Sequence, residues 1–169
     1  MASDAAYEDG RGSAGLLVVL NPGQPTEARL GKVIEIPQVV YSLWGARKTY
    51  IAQLELLAVF VAMVEIAALV RHTHGLWFID NIAALMALVK GTSGVPSLDA
   101  MAKAVEFLRY RRRPTTSTSS QTNWSDEISR LGVGGSWAVQ NGFEVERCGV
   151  AVLLLQLPCI AIASVFAFL

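Results

Sequence analysis

The sequence predicts a mixed α/β fold (α+β), in which helices pack against a sheet that contains antiparallel and parallel strands. Three observations carry this prediction. Residues 1–41 contain three segments rich in strand formers that are separated by turn residues. An apolar segment with helical periodicity follows them. A further short apolar strand then leads directly into another helix.

The first three strands are expected to form an antiparallel meander. The first covers residues 2–7 and the second residues 14–20, with the turn-forming residues 8–13 between them. The third covers residues 32–41 and contains Pro37. Because proline has no N–H to donate to the ladder, we expect this strand at a sheet edge or with a bulge.

Helical patterns dominate the middle of the chain. Residues 52–70 are apolar on nearly all sides, which predicts a helix that is largely buried. Residues 76–79 form a short apolar strand, parallel to the first strand if the connection between them is the usual crossover. Residues 82–89 predict a short helix closed by Lys90 and Gly91, a cation and a glycine of the kind that helix C-termini favour.

A helix, a polar run and a second short helix follow. Ser97 is a candidate N-cap for a helix that Pro114 stops. Residues 115–122 are nearly all Ser and Thr, and their composition leaves a polar strand, a linker and a disordered loop open. A fifth strand therefore does not follow from the sequence. Residues 123–132 predict a short helix with polar caps.

Length and composition favour one intracellular domain. The chain has 169 residues, enough for one substantial core, and its net charge of zero gives no general reason to expect an acidic or a nucleic-acid partner. Cys148 and Cys159 match neither a disulfide framework nor a metal-binding knuckle. Residues 1–9 are polar and acidic, unlike a secretory signal, so we expect the nucleus or the cytoplasm.

The C-terminal region differs from the predicted domain, which covers residues 1–132. Residues 133–148 are expected to be a linker. Residues 149–169 contain no charged residue, and an apolar run of ~20 residues can span a bilayer as a helix. Gln156 and Pro158 interrupt this run. The tail could be a membrane anchor, a helix packed on the domain, or sequence never selected to be protein.

Three acids could meet at one end of the predicted sheet. Glu55 lies in the most apolar helix, where an unpaired carboxylate would be costly or would take up a proton, so it should have a partner, most naturally a cation. Asp4 is the only acid in the first strand, and Asp80 follows the fourth. If these strands are parallel neighbours, Asp4 and Asp80 lie side by side with Glu55 above them.

Most of the candidate acids also have an ordinary structural explanation. Asp4 could be a solvated residue near the N-terminus, and Asp80 could be the N-cap of the following helix. Asp126 could be an acid favoured by the dipole at a helix start, with Asn123 as the cap. For Glu55 such an explanation is poorest, because its neighbours leave little room for water. One shared metal site would account for all of these acids together.

Four ordered segments of the chain resemble the motifs of a known domain family. They are residues 3–6 before a glycine-rich turn, residues 51–58, residues 78–85 and residues 123–131. The last, NWSDEISRL, is similar to the signature Asn-x-Ala-Asp-x-Leu-Ser-Arg. In order, spacing and predicted context, residues 1–132 resemble the ribonuclease H-like domain found beside reverse transcriptases in retrotransposons.

This resemblance implies a fold, a metal site and an activity. The fold is a five-stranded ribonuclease H-like mixed sheet whose first and fourth strands are neighbours. The site consists of Asp4, Glu55, Asp80 and Asp126 and binds two magnesium or manganese ions, hard cations that prefer carboxylate oxygens. Two such ions can activate a water and stabilise the leaving oxygen. The implied activity is endonucleolytic hydrolysis of RNA in RNA–DNA hybrids, recognised through 2′-hydroxyls and backbone shape.

A basic run at the end of the long helix is a candidate contact to the nucleic-acid backbone. The alternative is a solvated helix end whose cations complement the helix dipole. The run consists of Lys103, Arg109, Arg111, Arg112 and Arg113.

The chain departs from the family pattern in two places. The Ser/Thr run of residues 115–122 replaces an apolar strand just before the fourth acid. No histidine follows His74, although the family often has one near its last acid, and we expect His72 and His74 to be loop residues. An inactive nucleic-acid-binding or scaffold module with the same fold is therefore the alternative function, and a small membrane-anchored protein is another.

Overall fold

A six-stranded mixed sheet is the framework of the protein in a computed structural model. The structure describes residues 1–44, 46, 48–65, 69, 74–112, 115–119, 126–134 and 136–149. The strands are β1 (Ala2–Glu8), β2 (Arg11–Leu20), β3 (Ala28–Glu35), β4 (His74–Ile79), β5 (Thr115–Ser119) and β6 (Glu144–Gly149). The helices are α1 (Gln38–Leu43), α2 (Ile51–Glu65), α3 (Ile82–Lys90), α4 (Pro96–Arg112), α5 (Asp126–Leu131) and α6 (Ser136–Gln140).

The strand order across the sheet is β5-β4-β1-β2-β3-β6. Strands β1, β2 and β3 are an antiparallel meander, and β4 lies parallel to β1 on the other side. The two outer strands are also parallel to their neighbours, β5 to β4 and β6 to β3. The predicted fold class, a mixed sheet with three antiparallel strands, a parallel fourth and helices against it, is confirmed at this level.

Helix α2 forms the centre of the main core. It packs on β1, β2 and α4. Residues 53–63 are all buried, as expected for a segment that is apolar on nearly every side. Successive strand residues point to opposite faces, so Leu16 belongs to this core whereas Leu17 packs with Ala138 and Phe143 in a smaller cluster. The sheet is therefore covered on both faces.

The prediction for the third strand is wrong at its C-terminal end. Strand β3 ends at Glu35, and α1 begins at Gln38. Pro37 occupies the N-cap position with φ −62° and ψ 143°, so it is neither an edge residue nor part of a bulge. A residue before a helix needs no ladder donor, and the fixed φ of proline suits this position.

The prediction of a linker over residues 133–148 is also wrong. This segment contains α6 and β6, and β6 extends the sheet beside β3 from the pair Leu30↔Glu144 to the pair Glu35↔Gly149. Few apolar residues hold this segment in the smaller cluster, mainly Phe143 directly before the strand and Val145 within it. Most of the other strand residues are charged. The sequence therefore lacks the alternation of apolar and polar residues that predicts a strand.

The Ser/Thr run contains a strand despite its polar composition. Strand β5 pairs with β4 from His74↔Thr115 to Phe78↔Ser119. The polar-strand interpretation is therefore confirmed for Thr115–Ser119, and His74 belongs to β4 and not to a loop. The pairing uses backbone groups, which serine and threonine supply as well as any other residue. Residues 120–122 and His72 lie outside the described residues.

The helix ends follow the sequence in one case and depart from it in another. Helix α3 ends on Lys90, with Gly91 in the left-handed conformation at φ 71°, as predicted. Helix α4 begins at Pro96, so Ser97 lies inside its first turn and is not the N-cap. Ser97 is buried, and its hydroxyl accepts a hydrogen bond from Gln53 Nε2 at 3.4 Å. Pro114 lies outside the described residues.

The predictions for the apolar tail lie outside the described residues, which end at Gly149. Within the described part of the chain, no helix combines the length and the apolar character needed to cross a membrane.

Candidate metal centre

Three acidic side chains meet where β1, β4 and α2 come together. Asp4 lies in β1, Glu55 in α2, and Asp80 directly follows β4. One ligand oxygen from each of the three carboxylates lies within 4.8 Å of the other two. The convergence expected from the sequence is therefore present, and the three acids could hold a metal ion.

The parallel pairing of β1 with β4 brings the two aspartates together. The register pairs Ala2 with Phe78 and Ser3 with Ile79. One further step along both strands aligns Asp4 with Asp80. The N-terminal amine of Met1 donates to the Leu76 carbonyl at 2.9 Å, which extends the same contact in the other direction.

Glu55 is the most deeply buried acid of the cluster, with none of its surface exposed. Its Oε1 atom accepts a hydrogen bond from the Ala5 backbone N–H at 3.0 Å, which ties α2 to β1. Its Oε2 atom is buried and has no hydrogen-bond partner among the described residues. Burial, together with the negative charges of Asp4 and Asp80, raises the pKa of Glu55 to about 10.

Asp4 is buried, with 3% of its surface exposed, so the interpretation of a solvated residue near the N-terminus is wrong. Its Oδ2 atom accepts a hydrogen bond from the Ser129 hydroxyl at 2.6 Å. Ser129 lies in α5 and is itself 1% exposed. Helix α5, which lies 125 residues further along the chain, thus contacts the first strand at its acid.

Asp80 is exposed, and it is not the N-cap of α3. The cap is Asn81, whose Oδ1 atom accepts a hydrogen bond from the Ala84 backbone N–H at 3.1 Å. The alternative explanation for Asp80 is therefore removed. The exposed Asp80 beside the buried Asp4 and Glu55 makes this a site that is open to solvent on one side.

Asp126, the fourth predicted acid, is the first residue of α5. Only the backbone of Asp126 is described. Its side chain and the whole of Asn123 lie outside the described part of the chain. Helix α5 packs on β1 and β2, so Asp126 is carried on the helix that contacts Asp4. Its contribution to the cluster stays a prediction.

The predicted basic residues belong mostly to α4. Lys103 is exposed, and the backbone of Arg109, Arg111 and Arg112 continues the same helix. The side chains of these arginines and the whole of Arg113 lie outside the described residues. Their role as a backbone contact stays a prediction.

Two residues of the site were missed in the sequence. Asn81 caps α3, and Ser129 binds Asp4. Asn81 could have been found, because asparagine directly before a helix is a common cap. The available signals for Ser129 were its place in the segment NWSDEISRL, which is similar to the signature, and its position three residues after Asp126 in a predicted helix, one turn further along the same face.

The donor set fits a hard divalent cation. Its ligands are carboxylate oxygens, which magnesium and manganese prefer. Two of the three acids are buried, so their mutual repulsion is weakly screened, and the charges acting on Glu55 are themselves negative. A bound cation would give Glu55 Oε2 the partner that it lacks among the described residues.

The chain matches no protein-family model, no curated protein and no solved structure.

Proposed function

We propose that the chain is a ribonuclease H-like domain of retroelement origin that hydrolyses the RNA strand of RNA–DNA hybrids with divalent metal ions. The observation that carries this proposal is the convergence of Asp4, Glu55 and Asp80 within 4.8 Å. Asp4 lies on a strand, Glu55 on a helix and Asp80 directly after a neighbouring parallel strand, in the same order along the chain as the resembling motifs. A cluster of this composition suits metal-dependent phosphodiester cleavage.

Each acid has a separate role in the proposed site. Asp4 and Asp80 would hold the two magnesium or manganese ions, Glu55 would complete the first ion site, and Asp126 the second. When bound, the ions would activate the attacking water and stabilise the leaving oxygen. The chain's own contribution is to hold the acids in place, through the Ala5 bond to Glu55 and the Ser129 bond to Asp4.

The burial of the cluster suits this chemistry. Asp4 and Glu55 are shielded from water, so their interaction with a cation is stronger than it would be on the surface. Asp80 is exposed, so a substrate phosphate could approach the acid cluster from this side. The site therefore combines a buried half with a half that is accessible to solvent.

The basic residues of α4 are the proposed contact to the hybrid backbone. Lys103 is exposed, and the arginines lie in the C-terminal part of the helix. Cations that neutralise phosphates release counterions, so binding should weaken as salt rises. Contacts of this kind carry little sequence preference.

The sixth strand is compatible with this proposal. The resemblance implies five strands, and β6 is added beside β3. Strands β2 and β3 separate it from β1. The addition therefore lies on the side of the sheet away from β4, and it leaves the pairing of β1 with β4 intact.

The direct test is cleavage of a labelled RNA–DNA hybrid by the full chain with magnesium or manganese. Asp80→Asn should abolish cleavage and leave the fold intact, because Asp80 is exposed and caps no helix. A matched control is Asp9→Asn, which removes an exposed acid at a turn whose φ of 50° asparagine tolerates. The control should cleave like the wild type.

Two outcomes would contradict the proposal. Manganese-dependent cleavage retained in Asp80→Asn would remove Asp80 from the site. A wild-type chain that binds the hybrid without metal-dependent cleavage would favour the alternative function, an inactive nucleic-acid-binding module.

A further inference from the structure

We propose that Ser129 is a positioning residue of the metal centre, which orients the Asp4 carboxylate and holds α5 in register with β1. This inference rests on the proposed function and adds a component that the four acids do not include. It follows from two contacts made by one buried residue.

The first contact fixes the Asp4 carboxylate. Ser129 Oγ lies 2.6 Å from Asp4 Oδ2, a short bond of the charge-assisted kind. Both residues are almost completely buried. With one carboxylate oxygen held by a buried donor, the rotation of the group is set, and with it the direction of the other oxygen. Donors that hold metal ligands in this way commonly control metal affinity.

The second contact fixes the helix. The Ser129 backbone carbonyl accepts a hydrogen bond from the Ser13 hydroxyl of β2. Helix α5 has 6 residues, too few to be stable without tertiary contacts. Ser129 therefore links α5 to β1 through its side chain and to β2 through its backbone.

Ser129 also lies close to the fourth predicted acid, Asp126. This acid lies three residues before Ser129 in the same helix, and residues at this spacing share a face. The bond that orients Asp4 is therefore also a link between β1 and the helix that carries Asp126. One hydroxyl thus connects the Asp4 half of the proposed ion site to the helix that carries the fourth acid.

A purely structural role for Ser129 predicts a different result. If the hydroxyl only attached α5 to the sheet, its loss would lower stability and leave the affinity for metal unchanged. Ser13 separates these cases, because its hydroxyl supports α5 through the Ser129 carbonyl and not through the Asp4 bond. Ser13→Ala is therefore the matched control.

The experiment is calorimetric titration of the full chain with Mn²⁺ alone. Ser129→Ala should weaken binding by about 10–100-fold, the usual effect of removing a donor that holds a metal ligand. Ser129→Thr keeps a hydroxyl and should recover most of the affinity. Ser13→Ala should bind Mn²⁺ like the wild type, even if its unfolding temperature falls.

A second pair covers the case in which Ser129→Ala does not fold. Ser129→Thr and Ser129→Val place the same shape at this position and differ in the hydroxyl alone. Affinity retained by the threonine variant and lost by the valine variant supports the proposal. Equal affinities in this pair, or an unchanged affinity in a folded Ser129→Ala, would overturn it while leaving the proposed function in place. A wild-type chain that binds no Mn²⁺ would overturn both.

Discussion

Two glutamates of the same helix lie in opposite electrostatic surroundings. Glu65, the last residue of α2, has its Oε2 atom 3.3 Å from Lys32 Nζ, and the same ammonium lies 3.0 Å from Glu146 Oε2. Glu55 is more deeply buried, and the charged groups that act on it are the acids Asp4 and Asp80. The protein thus carries its own cation at one end of α2.

The pKa values of Lys32, beside Glu65, and of Glu55 are both raised, but for different reasons. Burial alone would lower the pKa of Lys32, but its hydrogen bonds to Glu146 and Glu65 outweigh burial and raise it. At the other end, burial and neighbouring acids raise the pKa of Glu55 to about 10. Glu65 and Glu146 share a lysine of the chain, whereas the charges that act on Glu55 among the described residues are negative.

The largest expected effect comes from neutralising Glu55. Glu55→Gln should weaken Mn²⁺ binding and hybrid cleavage. The loss should exceed about 10–100-fold, which is the usual effect of removing a residue that only hydrogen-bonds to a metal ligand. The substitution should also raise the unfolding temperature of the metal-free protein at pH values above 7, because Glu55 must take up a proton to be neutral in the folded state and glutamine needs none. Glu65→Gln is the matched control on the same helix. Equal Mn²⁺ affinities in the two variants would remove the distinction between the regions.

The next effect is the pH dependence of stability without metal. The pKa of Glu55 is about 10 in the folded protein and 4.5 in its ordinary state. Between these values the folded state binds more protons than the unfolded state, so the free energy of unfolding falls as pH rises. We expect the unfolding temperature to decrease from pH 5 to pH 9.5.

Magnesium and the Glu55→Gln variant test the cause of this change of unfolding temperature with pH. Both should make the change smaller. Magnesium stabilises the charged carboxylate, and glutamine does not titrate. Saturating metal at 100 times its dissociation constant would add about 2.7 kcal/mol to the free energy of unfolding. A slope that is the same in Glu55→Gln would assign the pH dependence to other groups.

The smallest effect is expected at the compensated end of α2. Lys32→Met leaves Glu65 and Glu146 without their shared cation, but these side chains are 19% and 69% exposed, so water replaces part of the interaction. We expect a loss of about 1 kcal/mol or less in urea unfolding. Mn²⁺ affinity should not change. A large loss of Mn²⁺ affinity in Lys32→Met would show that the two regions are coupled.

The sequence was most informative where the physical cause is local. Apolar residues repeating within a turn predict α2, and the cation and glycine at Lys90 and Gly91 mark the end of α3. The isolation of Glu55 in an apolar helix also required a partner before any fold was known. Each of these inferences depends on residues a few positions apart.

Errors arose where a segment's partner is remote. The apolar residues around Pro37 predict a strand there, but the end of β3 is decided by its pairing with β2 and β6. Strands β5 and β6 have few apolar residues, so their sequences lack the alternation of apolar and polar residues that predicts a strand. Their order comes from backbone groups supplied by neighbouring strands.

The sequence alone determined the helical and strand character of most segments, and it identified Asp4, Glu55 and Asp80 as acids that one site would explain. The tertiary structure decided that their oxygens meet within 4.8 Å and that Ser129, 125 residues from Asp4 along the chain, binds it. Periodicity and capping depend on residues that are near one another along the chain. Convergence of charges depends on strand order and register, which are decided by the packing of the whole chain.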